Sequence, residues 1–253
     1  MHKTVVVIGM GEIGSVFARG FLKLGYPVVP VMRDMDMAII ASEVQTPETV
    51  IVAVGEQDLH TTLNQIPDVW LDRLILLQNE LLPRDWQQHG ITEPTVISVW
   101  FEKKQGMGSK VVMPSPTFGR FAGLLQEALA SLNIPVTILN DAEALLRQLI
   151  LKNLYILTTN IAGLEAGGNV RDLWLNHNDL ACEVAGDVLD IQEHLTGQSF
   201  KRIGLIEGML SAFDGDPEHG CMGRSAPTRL ARALRIADTA ELEVPNLRRI
   251  ATR

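Results

Sequence analysis

Six residues near the start constrain this chain more than any others. Gly9-Met10-Gly11-Glu12-Ile13-Gly14 follows an apolar, β-branched run at 4–8 and opens a stretch with helical spacing at 14–24. Val16, Phe17, Gly20, Phe21 and Leu24 share one side of that stretch, and Gly25 stands where the helix would stop. G-x-G-x-x-G alone also serves ordinary tight turns. With a strand before it, a helix after it and a second strand within about 30 residues, it marks a dinucleotide-binding unit. Gly9 then allows the sharp turn, Gly11 lets a pyrophosphate approach the backbone, and Gly14 lets helix and strand pack closely. The amides and positive end of the helix hold the phosphates. Met10, Glu12 and Ile13 complete the expected cofactor-binding turn.

The first part of the chain alternates strand and helix signals. Further apolar runs at 28–32, 49–54 and 73–77 read as parallel strands, since they are continuous rather than alternating. Val54, closing the third of these strands after the first at 4–8, joins the cofactor-binding candidates. Runs at 95–99 and 110–113 read as later strands, 117–132 as a helix and 135–139 as a closing strand. The stretch between Arg33 and Thr49 is short, so one strand or hairpin of such a domain is expected to be absent. After Asn140-Asp141 the texture turns helical: 142–164 with Asp141 as N-cap, then 177–195, 201–213 and 225–243, with Pro245 after the last. The expected fold class is therefore α/β. A Rossmann-type parallel sheet occupies 1–140, and an all-helical substrate or dimerisation domain occupies 141–253.

Composition narrows the function classes. The 253 residues are 46% hydrophobic and 21% charged, a globular balance. A formal net charge of −8 with no basic run disfavours nucleic acid and anionic membranes as partners. The apolar stretch at 149–164 carries Lys152, Asn153, Thr158, Thr159 and Asn160 and is too short to cross a bilayer. The start lacks the layout of a secretory signal. Cys182 and Cys221 make neither a metal-ligand spacing nor a disulfide framework, so a reducing, cytoplasmic location and no metal are expected.

The end of the second strand speaks to cofactor choice. A carboxylate there binds ribose hydroxyls, whereas Met32 is followed by Arg33, and a guanidinium suits a 2′-phosphate. That points to NADPH. Asp34 comes next and either pairs with Arg33 or turns away. On the first long helix of the second half, Lys152 and Thr159 lie about 20° apart around the axis and Lys152 and Asn160 about 80°, with Tyr155 on the same side. A lysine on an otherwise apolar helix must face a cleft or a partner. In a cleft it suits proton donation to a forming alkoxide. Otherwise it snorkels, or pairs with Glu165, Glu193 or Glu207. Asp214-Gly215-Asp216-Pro217-Glu218-His219 reads as an acidic loop. Arg224, Arg229, Arg232 and Arg235 read as a solvated helix face, and Ser225 as a helix cap.

Taken together these residues resemble the ketopantoate reductase family, NADPH-dependent reductases of 2-dehydropantoate and related 2-oxo acids. The likeness rests on the glycine turn with Arg33, on Leu77-Gln78-Asn79, on Lys152 followed eight residues later by Asn160, and on Val244-Pro245-Asn246-Leu247. It implies that Lys152 is the general acid, that Asn79 sits near nicotinamide and substrate, and that Asn160 holds the substrate. The chain departs from the family at Glu80, where a glycine is usual, and near Gly55, where a lysine is usual. It also departs at Ile156, usually an asparagine, and at Gly208, usually a serine. Residues 224–228 offer no match for the family's late glutamate. The implied function is reduction of a small 2-oxo acid by an NADPH-dependent enzyme, and the largely apolar second domain adds a homodimer to the expectations. A catalytically silent NADP(H)-binding sensor or scaffold is the alternative, and the β-hydroxyacid dehydrogenases are a neighbouring enzyme family.

Overall fold

The computed structural model describes His2–Thr252; Met1 and Arg253, the outer ends of the two expected domains, lie outside the described residues. The chain divides into two compact units, Met1–Leu149 and Ile150–Arg253.

The first unit alternates strands and helices. Val5–Ile8 (β1), Glu12–Lys23 (α1), Val28–Val31 (β2), Met37–Glu43 (α2), Thr49–Val52 (β3) and Leu59–Leu63 (α3) come first. A 3-10 helix at Asp68–Arg73 then leads to Leu74–Leu76 (β4), Pro83–Gln87 (α4) and Thr95–Ile97 (β5). Phe101–Lys103 (β6), Ser109–Val111 (β7), Ser115–Phe118 (β8), Ala122–Ala130 (α5) and Val136–Ile138 (β9) complete it. Seven strands form one sheet in the order β2-β1-β3-β4-β5-β8-β9, and β6 with β7 forms a separate hairpin. The first five strands of the sheet are parallel; β8 runs antiparallel to β5, and β9 parallel to β8.

Alternation across each strand builds the three layers. Val6, Ile8, Val50, Val52, Leu74, Leu76 and Val96 face one core with Met37, Leu63, Trp70 and Trp86. Val5, Val7, Ile51, Ile75 and Ile97 face the other, with Phe17, Phe21, Leu125 and Leu129. Both faces are covered, which is why the strands read as unbroken apolar runs. One segment departs from expectation: 117–118 belong to β8, and the helix begins only at Ala122. The reason is polar burial. The Thr117 hydroxyl donates to the Val96 carbonyl at 2.9 Å and the Ser115 hydroxyl accepts from the Trp100 amide at 2.9 Å, so polar residues occupy a buried strand. Between β2 and β3 the single helix α2 makes the crossover, capped by the Asp36 carboxylate, which accepts from the Ala38 amide at 2.8 Å.

Ala142–Ala166 (α6) starts immediately after Asp141, whose carboxylate accepts from the Ala144 amide at 2.7 Å. The division between the units falls inside this helix, and Leu145 and Leu149 belong to the first unit's core. The second unit continues with Val170–Asn176 (α7), Asn178–Thr196 (α8), Arg202–Gly215 (α9), Ala226–Thr239 (α10) and Pro245–Ala251 (α11). Pro245 therefore opens a further helix as well as following α10, in keeping with a proline at the first helical position. The buried Asp187 of α8 accepts from the amides of Asn246 and Leu247 at 2.8 and 3.0 Å, which anchors the Val244-Pro245-Asn246-Leu247 segment. Ser225 is the N-cap of α10 but makes no side-chain capping bond.

Two helices of the first unit approach at a glycine. A Cβ at Gly20 on α1 would lie 2.6 Å from the carbonyl oxygen of Ala128 on α5. Gly20→Ala should destabilise the protein by about 1–3 kcal/mol, the usual range for overpacking. A thermal melt checks this, and an unchanged Tm would show that α5 yields freely.

Candidate functional site

The ends of β1, β2, β3 and β4 carry the first cluster of candidates. Gly9 leaves β1 with φ +89°, and a Cβ there would sit 2.8 Å from the Ala53 carbonyl oxygen and 3.2 Å from a Val54 methyl. At Gly14 the added atom would lie 2.0 Å from the Gly9 carbonyl oxygen. Both glycines are thus demanded by the chain's own packing. Gly11 differs: a Cβ there would meet nothing within 4 Å. Its bare backbone opens outward at the N-cap of α1, with no side-chain capping bond. Space of that kind beside a helix N-terminus suits a phosphate group. Met10 and Ile13 pack against the core that includes Phe17. Glu12, at the positive end of α1, accepts from the Lys103 ammonium at 3.0 Å. Lys103, at the end of β6, also donates to the Lys104 carbonyl at 2.8 Å and is 15% exposed. Sequence reasoning missed it, because a Lys-Lys pair in a short hairpin reads as surface.

Arg33 lies just beyond β2 and pairs with Asp58 at 3.2 Å, so its partner is this carboxylate after β3 and not the neighbouring Asp34. At the end of β4 the buried Gln78 is structural. Its amide donates to the carbonyls of Val52 and Val54 at 2.6 and 3.3 Å, and its oxygen accepts from the Leu77 amide. The strand ends are thereby tied together, and Asn79 is left exposed next to them. Glu80 follows with φ +62°, so the turn keeps a glycine-like conformation with a glutamate in it.

The second cluster lies on α6 within the second unit. Lys152 is half-buried, with its ammonium 5.6 Å from the centre of the Tyr155 ring. Of the carboxylates that the sequence offered Lys152, Glu193 holds Arg202 and Glu165 holds Arg249. Tyr155 lies 6.0 Å from the His219 ring. Asn160 is buried, and its oxygen accepts from the Arg229 guanidinium at 2.9 Å. Arg229 is only 9% exposed, which corrects the expectation of a solvated face: it turns toward α6 rather than away from the unit. Helix periodicity could not separate it from its exposed neighbours, whereas its spacing from the buried Ala226 and Leu230 carried some signal. Gly208 on α9 and Ile156 on α6 are two of the positions where the sequence lacks a polar residue of the ketopantoate reductase pattern. A Cβ at Gly208 would lie 2.9 Å from Leu151, and Ile156 is buried.

The three glycines of the turn make a contrast that a binding assay resolves. Gly14→Ala should unfold or strongly destabilise the first unit, because its methyl would meet a backbone oxygen. Gly11→Ala should keep the melting temperature and weaken dinucleotide binding by about tenfold or more, the cost of about 1.4 kcal/mol of lost approach. Equal binding by Gly11→Ala would remove the turn as a phosphate site.

No family model matches the chain, and no curated protein matches it by sequence. Solved structures do. The 2-dehydropantoate 2-reductase of Methylococcus capsulatus superposes with a TM-score of 0.68 at 13% identity, over 98% of this chain and 94% of that one. A dimeric ketopantoate reductase from Staphylococcus aureus gives 0.67 at 15% identity over 98% and 96%. D-mandelate dehydrogenase in complex with NADH gives 0.71 at 11% identity over 98% and 96%. Among the described residues, no helix is long and apolar enough to cross a membrane. Likeness at these identities is a likeness of fold: the chain has the ketopantoate reductase fold, a Rossmann-type unit followed by an all-helical one.

Proposed function

We propose that this protein is an NADPH-dependent oxidoreductase that reduces the carbonyl of a small 2-oxo acid. The observation that carries the reading is the glycine turn, in which Gly9 and Gly14 are locked by packing while Gly11 stands open. Gly9, Met10, Gly11, Glu12, Ile13 and Gly14 would hold the diphosphate, Arg33 the 2′-phosphate, and Val54 and Asn79 the remainder of the cofactor. NADPH, when bound, supplies the hydride. Lys152, whose ammonium lies over the Tyr155 ring, would give its proton to the carbonyl oxygen as negative charge develops there. Asn79 would orient the substrate, and Asn160, braced by Arg229, would hold it. The protein would work in the cytoplasm, where its two free cysteines stay reduced; burial pushes the Cys221 thiol up to about 11, so it is a poor nucleophile. A homodimer, the state of the S. aureus reductase, fits the same reading.

Substrate choice follows from two side chains. Gly208 offers no hydroxyl. Ile156 offers a methyl surface where an amide would hold a hydroxyl. Two lost hydrogen bonds at about 1 kcal/mol each correspond to at least tenfold weaker ketopantoate binding. A 2-oxo acid with an apolar side chain should be reduced better.

NADPH oxidation against a panel of 2-oxo acids tests both statements. A kcat/KM for ketopantoate of about 10⁴ M⁻¹s⁻¹ or more, the low end of ordinary enzymes, would show that other residues replace the missing contacts. In the same assay Lys152→Ala should slow turnover about 10²- to 10⁴-fold with NADPH affinity unchanged and the circular dichroism spectrum retained. Undiminished turnover would remove Lys152 from the chemistry. Dinucleotide binding with no turnover on any acid would favour a silent sensor.

A further inference from the structure

The Arg33–Asp58 pair stands where the proposed cofactor's adenosine ribose would lie, and its carboxylate is unusual. Asp58 occupies the N-cap of α3, a position at which aspartate ordinarily accepts from the amides of the first turn. Here it makes no side-chain capping bond. Its amide instead closes a turn onto the Gly55 carbonyl at 3.0 Å, and the position of a Cβ at Gly55 would be 3.9 Å from its Oδ2. The turn therefore aims the carboxylate outward, at the guanidinium of Arg33. Arg33 is 92% exposed and Asp58 54%, so both heads remain reachable from solvent. Asp34 and Asp36 add negative charge on the Arg33 side, with Asp36 engaged as the cap of α2.

The two ribose forms meet this arrangement differently. A 2′-phosphate brings roughly −1.5 to −2 charges and must take Arg33 from Asp58. A 2′-hydroxyl can donate to the Asp58 carboxylate while the ion pair stays intact, as acidic residues do for unphosphorylated ribose. Resting on the dinucleotide reading above, we infer that Asp58 is a specificity-determining residue: it opposes Arg33, holds down the preference for the phosphorylated cofactor, and keeps NADH usable. An unopposed guanidinium would give NADPH an advantage of about 10- to 150-fold, and the pair should leave less than that.

The test is fluorescence titration of the intact protein with NADPH and with NADH, which needs no substrate and no turnover. The readout is the ratio of the two dissociation constants. Asp58→Asn should raise the preference for NADPH by about 2- to 5-fold, the upper range for releasing an exposed ion pair, and Asp58→Lys should raise it further. Arg33→Ala should abolish the preference. Asp58 is half-exposed, so both substitutions should leave the melting temperature near that of the parent. If both nucleotides bind but Asp58→Asn and Asp58→Lys leave the ratio within twofold of the parent, the inference is overturned and the dinucleotide reading stands. If neither nucleotide binds the parent protein, the dinucleotide reading itself fails and the inference with it.

Discussion

The approach of Gly14 to the Gly9 carbonyl is the constraint on which the first unit depends. It brings the start of α1 down onto the turn that leaves β1 so closely that no side chain fits between them, the added atom being 2.0 Å from oxygen. Once α1 lies there, Phe17 and Phe21 fill the core on one side of the sheet, and the start of α1 meets the turn after β3 through Gly14 and Ala53. The open backbone at Gly11 is a by-product of the same geometry. Between two glycines held by packing stands a third that packing does not require, and a binding function gives it a reason to be glycine.

Electrostatics then decides what that open end can hold. Glu12 sits at the positive pole of α1, where its charge is favoured, yet it would also repel a diphosphate. Lys103 reaches it from the hairpin and cancels that charge. The pairing of Arg33 with Asp58 repeats the device at the next strand end. In both cases a surface ion pair contributes little to stability, at most about 1 kcal/mol. The more important consequence is local: each pair sets the charge that an approaching phosphate would meet.

Much of this was legible in the sequence, and the rest was hidden for physical reasons. Continuous valines and isoleucines at β1 and β3 announce strands covered on both faces, and Asp141 announces the start of α6. β8 was not legible as a strand, because its buried Ser115 and Thr117 use their hydroxyls on neighbouring backbone groups and break the apolar pattern. The helix α2 carries too few residues to show a period. Of the candidate site residues, the glycine turn and Arg33 were visible through spacing, while Asp58 and Lys103 were not, since an ion pair between residues distant in sequence leaves no mark in a linear pattern. Arg229 lay in plain view among other arginines, marked only weakly by its spacing from Ala226 and Leu230, and its packing against Asn160 distinguishes it.

The departures from the family pattern follow from backbone as much as from chemistry. Glu80 keeps φ +62° although a non-glycine residue there costs about 1–2 kcal/mol, so the turn that carries Asn79 is held by something stronger than its own preference. That something is Gln78, whose side chain bonds to three backbone groups and fixes the turn from the inside. Gly208 differs: a Cβ there would meet only the side-chain end of Leu151 on α6, and no backbone atom demands the glycine. At Glu80 a neighbouring side chain, rather than the residue itself, fixes the backbone path. A chain can in this way share a fold over nearly its whole length with proteins it matches at 11–15% identity, and present different side chains to whatever it binds.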